Sequence, residues 1–148
     1  MRVILQRVKE ASVTIDGQIV GAIGKGFLLL VGFSQGDDAT IIEKVVKKIA
    51  GMRIFEDENG RMNKELKDVD GSILSISQFT LYADVASGKR PSFVKALQYD
   101  KATILYDIFN QKLKETGIPI AQGVFGADMK VRLLNDGPVT IVIDSEDL

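Results

Sequence analysis

The chain contains no histidine and no cysteine among its 148 residues. Without these side chains it lacks the usual soft ligands for zinc and iron, so we expect no metal site and no cofactor. A serine nucleophile activated by histidine is also excluded, because such a site needs an imidazole base. Any catalysis must therefore use hydroxyl groups, carboxylates, amines, backbone amides or the substrate itself.

The charges are nearly balanced, and long apolar runs are missing. A net charge of −1 gives no general attraction to nucleic acid, so such binding needs a local basic patch. No apolar run approaches the roughly 20 residues of a membrane helix, and the segment Met1–Arg7 breaks too early for a signal peptide. Because the absence of cysteine fits a reducing compartment, we expect a cytoplasmic protein. The length and the 45% hydrophobic content predict one domain over residues 1–148.

Strand-like segments dominate the chain, and two helices interrupt them. This order predicts an α/β domain of mixed, largely antiparallel β-sheets with two main helices. Asp16 and Gly17 form the two-residue turn of a hairpin. The expected strands are Val3–Val8, Ala11–Ile15, Gln18–Ile23, Gly26–Val31, Ser72–Ile76, Val124–Phe125, Lys130–Leu134 and Val139–Ile143.

Capping signals mark both helices. Thr40 and Glu43 have the spacing of a capping box, which predicts a first helix from Thr40 to a stop at Gly51. Asp100 is the expected N-cap of the second helix, which ends near Gly117. The first helix has an apolar stripe formed by Ile41, Ile42, Val45, Val46 and Ile49.

The stretch Ser77–Leu81 places polar residues directly after the apolar segment Ile73–Ile76. It fits an ordinary strand with one polar face. It also fits a strand end whose hydroxyls and amides point into a pocket, where fixed donors can stabilise an oxyanion during acyl transfer. Ser77 is a poor candidate for a nucleophile, because only scattered lysines and carboxylates are available to activate it.

The stretch Asn135–Thr140 interrupts strand-like residues with a proline. Pro138 has no N–H group for a sheet hydrogen bond, and the three residues before it favour turns. The stretch is either a tight turn or a Gly–Pro unit that presents bare backbone to a ligand. A cis Gly137–Pro138 bond would direct two carbonyl groups nearly the same way, but sequence alone does not predict it, because only about 5–6% of X–Pro bonds are cis.

Together the two stretches resemble the D-aminoacyl-tRNA deacylase family, also called D-tyrosyl-tRNA deacylases. Further segments extend the resemblance nearly end to end in the family's order. They are Gln6–Val8, Ala11–Val13, Gly21–Gly26, Arg53–Phe55, Met62–Asn63, Ser77–Asp84, Gly88–Phe93, Phe125–Met129 and Asn135–Thr140. Two departures concern a pocket wall: Ala96-Leu97 and Tyr99 stand where the family often has Ala-Ala and Pro, and Gln122 stands where it often has Thr.

The resemblance implies an editing hydrolase with a barrel-like fold in β/β/α layers. Such an enzyme cleaves the ester of D-aminoacyl-tRNA, and of glycyl-tRNA, and it works as a homodimer with sites at the subunit interface. Gly137–Pro138 would be a Gly–cis-Pro element that excludes L side chains by a clash, with Val139 and Thr140 beside it. The 2′-hydroxyl of the terminal adenosine would assist the attack.

The resemblance also implies roles for single residues. The backbone amide of Phe79 would be the main oxyanion donor, and Ser77, Gln78 and Thr80 would line the pocket. Ala102 and Met129 match positions that border the family's pocket, although each also fits ordinary core packing. The basic residues that could contact tRNA phosphates are Lys89 and Arg90, then Lys130 and Arg132, and more weakly Lys44, Lys47 and Lys48, although each also fits an ordinary solvated surface charge.

A second class of function fits the same residues. The chain would then be a non-catalytic dimeric module that binds a small amine or an RNA 3′ end in the same pocket. Incubation with D-Tyr-tRNA and L-Tyr-tRNA distinguishes the two classes, because only the deacylase removes the D form.

Overall fold

The computed structural model describes residues 1–148. Three short 3₁₀ helices lie at Leu66–Val69, Phe79–Tyr82 and Ser145–Asp147. The helices and strands, in chain order, are β1 Arg2–Ile15, β2 Gln18–Ile23, β3 Gly26–Gly32, α1 Ala39–Ala50, β4 Phe55–Glu56, β5 Met62–Lys64, β6 Ser72–Ser77, α2 Tyr99–Glu115, β7 Ile120–Gln122 and β8 Lys130–Asp144.

The long strand β1 organises the main sheet. Along one side it pairs antiparallel with β2 and β3, and along the other side with β8. β6 adds in parallel to β3, and β7 adds in parallel to β6. A Cβ atom on Gly21 of β2 would lie 3.2 Å from the carbonyl oxygen of Gln122 in β7, so the sheet curls until its two ends nearly meet. The predicted barrel-like α/β fold with two helices is confirmed.

Alternation along the central strands creates a core on each face of the sheet. Phe27 and Leu29 of β3 join the larger core beneath α1 and α2. Leu28 faces the opposite side and packs with Val8, Val13 and other residues inside the curled sheet. None of the helices is long and apolar enough to cross a membrane.

Both predicted helix starts are wrong by one or two residues. α1 begins at Ala39 because Asp38 is its N-cap: its backbone is extended and its carboxylate accepts a hydrogen bond from the Ile41 N–H at 2.9 Å. Thr40 therefore lies inside the helix. α2 begins at Tyr99 after Gln98, and Asp100 lies in the first turn, where its charge favours the helix dipole.

The main error in the strand predictions is that two long strands were each predicted as two separate strands. The two predicted N-terminal strands form the continuous β1, and Lys130–Leu134 and Val139–Ile143 belong to the continuous β8. The predicted strand Val124–Phe125 is a loop, because Gly126 turns the chain at a φ of +80° and Ala127 N–H donates to the Val124 carbonyl. The hairpin at Asp16 and Gly17 is confirmed, and both residues have positive φ angles.

Candidate active site

The stretch Ser77–Leu81 begins where a buried strand ends. β6 runs between β3 and β7, and its last residue, Ser77, pairs with Val31. The Gln78 N–H continues this pairing by donating to the Val31 carbonyl at 2.7 Å, and the chain then enters a 3₁₀ helix at Phe79. The prediction of an ordinary strand is therefore wrong beyond Ser77, because the chain leaves the sheet there, and the end of the strand borders an open cavity.

The cavity beside this strand end has a volume of about 410 Å³. One wall is the end of β6, and the other is the loop between β7 and β8 together with the first residue of α2. The lining is mainly apolar with a few polar groups, as is usual for small-molecule sites. Its residues are Ile76, Ser77, Gln78, Phe79, Tyr99, Phe125, Gly126, Ala127, Asp128, Met129 and Val131.

A buried carbonyl group joins the two walls. The Ser75 carbonyl accepts hydrogen bonds from the Gly123 N–H at 3.0 Å and from the Tyr106 hydroxyl at 2.8 Å. Burial raises the pKa of Tyr106, which keeps its hydroxyl protonated as a donor. The Tyr106 ring also packs against Phe125, with centroids 5.8 Å apart. Tyr106 thus supports the strand end and the opposite loop at once.

The first amides of the 3₁₀ helix are free of helical hydrogen bonds. At the start of any helix the leading N–H groups have no acceptor within the helix, and here these groups belong to Phe79 and Thr80. The Gln78 side-chain amide donates to the Thr80 hydroxyl, which braces this turn. The Phe79 ring is half-exposed and meets Phe93 edge-on at a centroid distance of 5.0 Å. The Phe79 and Thr80 amides are thus left without an acceptor inside the 3₁₀ helix, next to the cavity.

The stretch Asn135–Thr140 forms a bulge in β8 rather than a turn between two strands. Gln6 of β1 pairs with Thr140, and Val8 pairs with Asn135, so residues 136–139 of β8 lie opposite the single residue 7. The Gly137–Pro138 peptide bond is cis, and both residues are exposed. A proline is tolerated here because a bulge does not need its missing N–H group.

Arg7 and Asn135 hold this bulge from the protein side. The Arg7 side chain is buried; its Nε donates to the Asp136 carbonyl at 3.1 Å and lies 3.6 Å from the Asp136 carboxylate. Its Nη1 donates to the Ile54 carbonyl at 2.6 Å. The Asn135 side-chain amide donates to the carbonyls of Arg7 and Val139 at 2.9 and 3.0 Å. The exposed Gly–Pro backbone is therefore held on its protein side by buried and partly buried hydrogen bonds.

The family model described as D-Tyr-tRNA(Tyr) deacylase matches residues 4–144. The chain belongs to this family. The resemblance seen in the sequence is thereby confirmed, and the family is one of hydrolases that edit aminoacyl-tRNA.

Two solved structures share this deacylase fold over nearly their whole length. One, titled "c-Myc DNA Unwinding Element Binding Protein", is 40% identical with a TM-score of 0.91, covering 97% of this chain and 98% of that chain. The other, titled "Structural Analysis of a probable eukaryotic D-amino acid tRNA deacylase", is 18% identical with a TM-score of 0.82, covering 96% and 97%. At 18% identity the second likeness concerns the fold alone.

The residues predicted for the deacylase pocket separate into two groups within one chain. Ser77, Gln78, Phe79 and Met129 line the cavity. The residues that lie away from its lining are Thr80, Ala102, Gly137, Pro138, Val139 and Thr140. Ala102 is buried in the larger core under α2, and the Thr140 hydroxyl donates to the Asn135 side-chain oxygen at 3.4 Å.

The predicted tRNA-binding residues are all exposed. Lys89 and Arg90 lie on a loop closed by two backbone hydrogen bonds between Asp84 and Ser92. The Ala86 N–H and the Lys95 ammonium lower the pKa of the Asp84 carboxyl at the base of this loop. The Asp84 carboxylate therefore stays ionised.

The other basic candidates lie elsewhere on the surface. Lys130 pairs with Asp128 at 3.0 Å, and Lys47 pairs with Glu43 at 3.0 Å, so both are partly neutralised. The remaining candidates are Arg132 on β8 and Lys44 and Lys48 on α1.

The sequence analysis did not identify Arg7 as a buried residue or Tyr99 as part of the cavity lining. Arg7 was recognised only as part of a family segment, yet it is 6% exposed in a core strand. A charged residue inside an apolar strand is a signal that a buried partner exists. Tyr99 was noted only as a departure from the family, and the structure places it in the cavity wall.

Proposed function

We propose that this chain hydrolyses the ester bond of D-aminoacyl-tRNA, and of glycyl-tRNA, and leaves L-aminoacyl-tRNA intact. Membership of the deacylase family supports the reaction class. The observation that carries the proposal is the pairing of an open cavity at Ser77–Phe79 with an exposed Gly–Pro bulge at Gly137–Pro138. Such a protein acts where translation takes place, and the lack of cysteine fits the cytoplasm.

Selection between enantiomers would depend on bare backbone. In the proposed complex, the Gly137–Pro138 bulge of one subunit enters the cavity of its partner. Its carbonyl groups contact the substrate amino group and leave no volume for an L side chain. A D side chain points away from the bulge, and glycine has no side chain to exclude. Few side-chain contacts are needed, which suits an enzyme that accepts many D-amino acids.

The chemistry would require little from protein side chains. Water adds to the ester carbonyl carbon, and the bond from this carbon to the 3′-oxygen of the terminal adenosine then breaks. The oxygen of the intermediate accepts a hydrogen bond from the Phe79 amide, and the neighbouring 2′-hydroxyl of the substrate assists the attack. Ser77, Gln78 and Thr80 position the ester. This division of labour agrees with a chain that has no histidine.

Incubation with charged tRNAs tests the reaction and its stereochemistry. We expect the purified protein to release tyrosine from D-Tyr-tRNA and glycine from glycyl-tRNA, and to leave L-Tyr-tRNA charged. Acid-gel or radiolabel assays of each charged tRNA measure the loss. If neither enantiomer is hydrolysed although the protein still binds the tRNA, the catalytic proposal fails.

A homodimer is part of the proposal, because one chain separates the bulge residues from the cavity lining. Exposed apolar side chains, among them Phe79, Val85 and Val94, suit a covered surface. We expect sedimentation equilibrium to give twice the chain mass of 16.2 kDa. A monomer that hydrolyses D-Tyr-tRNA at full rate would contradict a site shared between subunits.

One comparison favours a second candidate, a nucleic-acid-binding module without hydrolytic activity. The solved structure at 40% identity carries a title that names it a DNA unwinding element binding protein. Gel-shift titration with single-stranded DNA and with uncharged tRNA tests this candidate. Tight binding of single-stranded DNA or of uncharged tRNA, without hydrolysis of D-Tyr-tRNA, would favour the binding module. The same outcome would favour a module whose ligand is a small amine or an RNA 3′ end.

A further inference from the structure

Tyr99 is a large aromatic side chain that lines the cavity and remains largely exposed to solvent. It is the first residue of α2, lines the cavity opposite Ser77–Phe79, and is 61% exposed. The Thr103 hydroxyl donates to the Tyr99 carbonyl at 2.8 Å, which fixes its backbone in the first helical turn. Exposing this much apolar surface is unfavourable unless something covers it.

The Tyr99 ring is packed in one position against Phe125 and Gly126. It meets the Phe125 ring edge-on at a centroid distance of 5.2 Å and an interplanar angle of 74°. It also lies directly on Gly126, where a Cβ atom would be 2.7 Å from the Tyr99 Cε2 atom and 2.8 Å from its hydroxyl oxygen. Gly126 has a φ of +80°, so both the backbone and the ring favour glycine here. The ring is thus supported from behind while it borders the open cavity.

The charges of the cavity indicate which part of a nucleic acid fits against this ring. The lining contains no lysine and no arginine, and its one charged residue, Asp128, pairs with Lys130. A phosphate group has no cationic partner in such a lining and would lie outside it. A neutral, flat group fits better, and aromatic side chains are the common platforms for unpaired nucleobases.

We infer that Tyr99 provides a stacking face for the nucleobase at the 3′ end of the RNA. The inference rests on the proposed function, because it assumes that the aminoacyl ester lies at Ser77–Phe79 on the opposite wall. The ester and the base are then divided between the two walls of one cavity. Tyr99 holds the nucleoside, and it takes no part in breaking the ester bond.

A fluorescence experiment tests base binding without any need for hydrolysis. The chain has no tryptophan, so Tyr99→Trp introduces a single indole and keeps an aromatic face. Adenosine 5′-monophosphate should quench this indole saturably, and ribose 5-phosphate should not. Ile104→Trp is the matched control, since Ile104 is 60% exposed on α2 but does not line the cavity. Equal quenching at both positions, or none at position 99, would overturn the inference.

Steady-state kinetics on D-Tyr-tRNA separate a binding role from a structural one. Loss of one stacking contact in Tyr99→Ala should raise KM about tenfold and leave kcat within about twofold, whereas Tyr99→Phe should match the original chain. An unchanged KM in Tyr99→Ala, or a change in its sedimentation that identifies Tyr99 as a subunit contact, would refute the role. If the original chain hydrolyses no D-Tyr-tRNA, the proposed function fails, and the quenching result still decides whether the cavity binds a nucleobase.

Discussion

Replacing Gly137 with alanine is expected to lower the rate of D-Tyr-tRNA hydrolysis about 100-fold while the protein stays folded. Gly137 has a φ of +125°, a conformation that residues with a Cβ atom rarely adopt. The added Cβ atom would lie 2.9 Å from Val139 Cγ2 and 3.0 Å from Arg7 Nη2. Both neighbours are constrained, Arg7 by burial and Val139 by branching, so the bulge itself must shift. A shift of about 1 Å displaces the backbone proposed to contact the substrate amino group.

Gly60→Ala is the matched control for this substitution. Gly60 also has a positive φ, +73°, but an added Cβ atom there meets nothing within 4 Å. Alanine at position 60 carries a backbone cost of roughly 1 kcal/mol, because +73° lies close to the left-handed region that L residues can adopt. At position 137 the φ of +125° lies outside that region, so the backbone itself also opposes alanine there. Initial rates on D-Tyr-tRNA and circular dichroism should therefore separate the two. A Gly137→Ala enzyme as active as Gly60→Ala would show that the bulge backbone has no part in the reaction.

Replacing Arg7 with methionine should lower the free energy of unfolding by about 3 kcal/mol. The substitution keeps much of the side-chain volume but removes the donors to the buried carbonyl of Ile54 and the partly buried carbonyl of Asp136. It also leaves the Asp136 carboxylate, 3.6 Å from Arg7 Nε, without its cation. Because the bulge loses its support from below, hydrolysis should fall together with stability.

Urea titration followed by circular dichroism measures this loss, and an unchanged m-value would show that the extent of unfolding is the same. Arg53→Met is the control, because Arg53 is exposed and should tolerate the change with little loss of stability. Arg7→Lys should recover only part of the loss, since one ammonium group cannot replace the guanidinium fork that reaches Ile54 and Asp136 together. Equal stability of Arg7→Met and Arg53→Met would contradict the role of these hydrogen bonds.

The spacing of apolar residues along the sequence correctly predicted the two helices and most of the strands, since this spacing reflects local structure. The stripe of α1 is a good example: Ile42, Val45, Val46 and Ile49 are all buried, as their spacing predicts. Signals at the ends of elements were less reliable. Asp38 and Thr40 are both residue types that favour the N-cap, and local sequence does not distinguish them. In the structure the Asp38 carboxylate accepts the Ile41 N–H at 2.9 Å.

Long-range contacts explain what the sequence did not predict. Arg7 hydrogen-bonds residues 47 and 129 positions away, so no local pattern reports its partners. β7 has only three residues, and it forms because β6 offers a parallel edge that meets Ile120 and Gln122. The two central stretches were found because their residue types conflict with a plain sheet. Their placement on separate parts of one chain needed the coordinates.

The bulge in β8 also determines which substitutions can change the proposed selection of enantiomers. Its ends are set by the pairs Gln6–Thr140 and Val8–Asn135, and the ladder continues on both sides. Because the proposed contact is made by backbone, it has no side chain that a point mutation could shorten to make room for an L side chain. A laboratory search for variants with relaxed stereoselectivity should therefore start with Arg7 and Asn135, whose hydrogen bonds hold the bulge in place. Substitutions in the cavity lining come second. Evolution toward hydrolysis of L-aminoacyl-tRNA would meet the same obstacle, since each substitution of Arg7 or Asn135 also removes hydrogen bonds that hold the bulge.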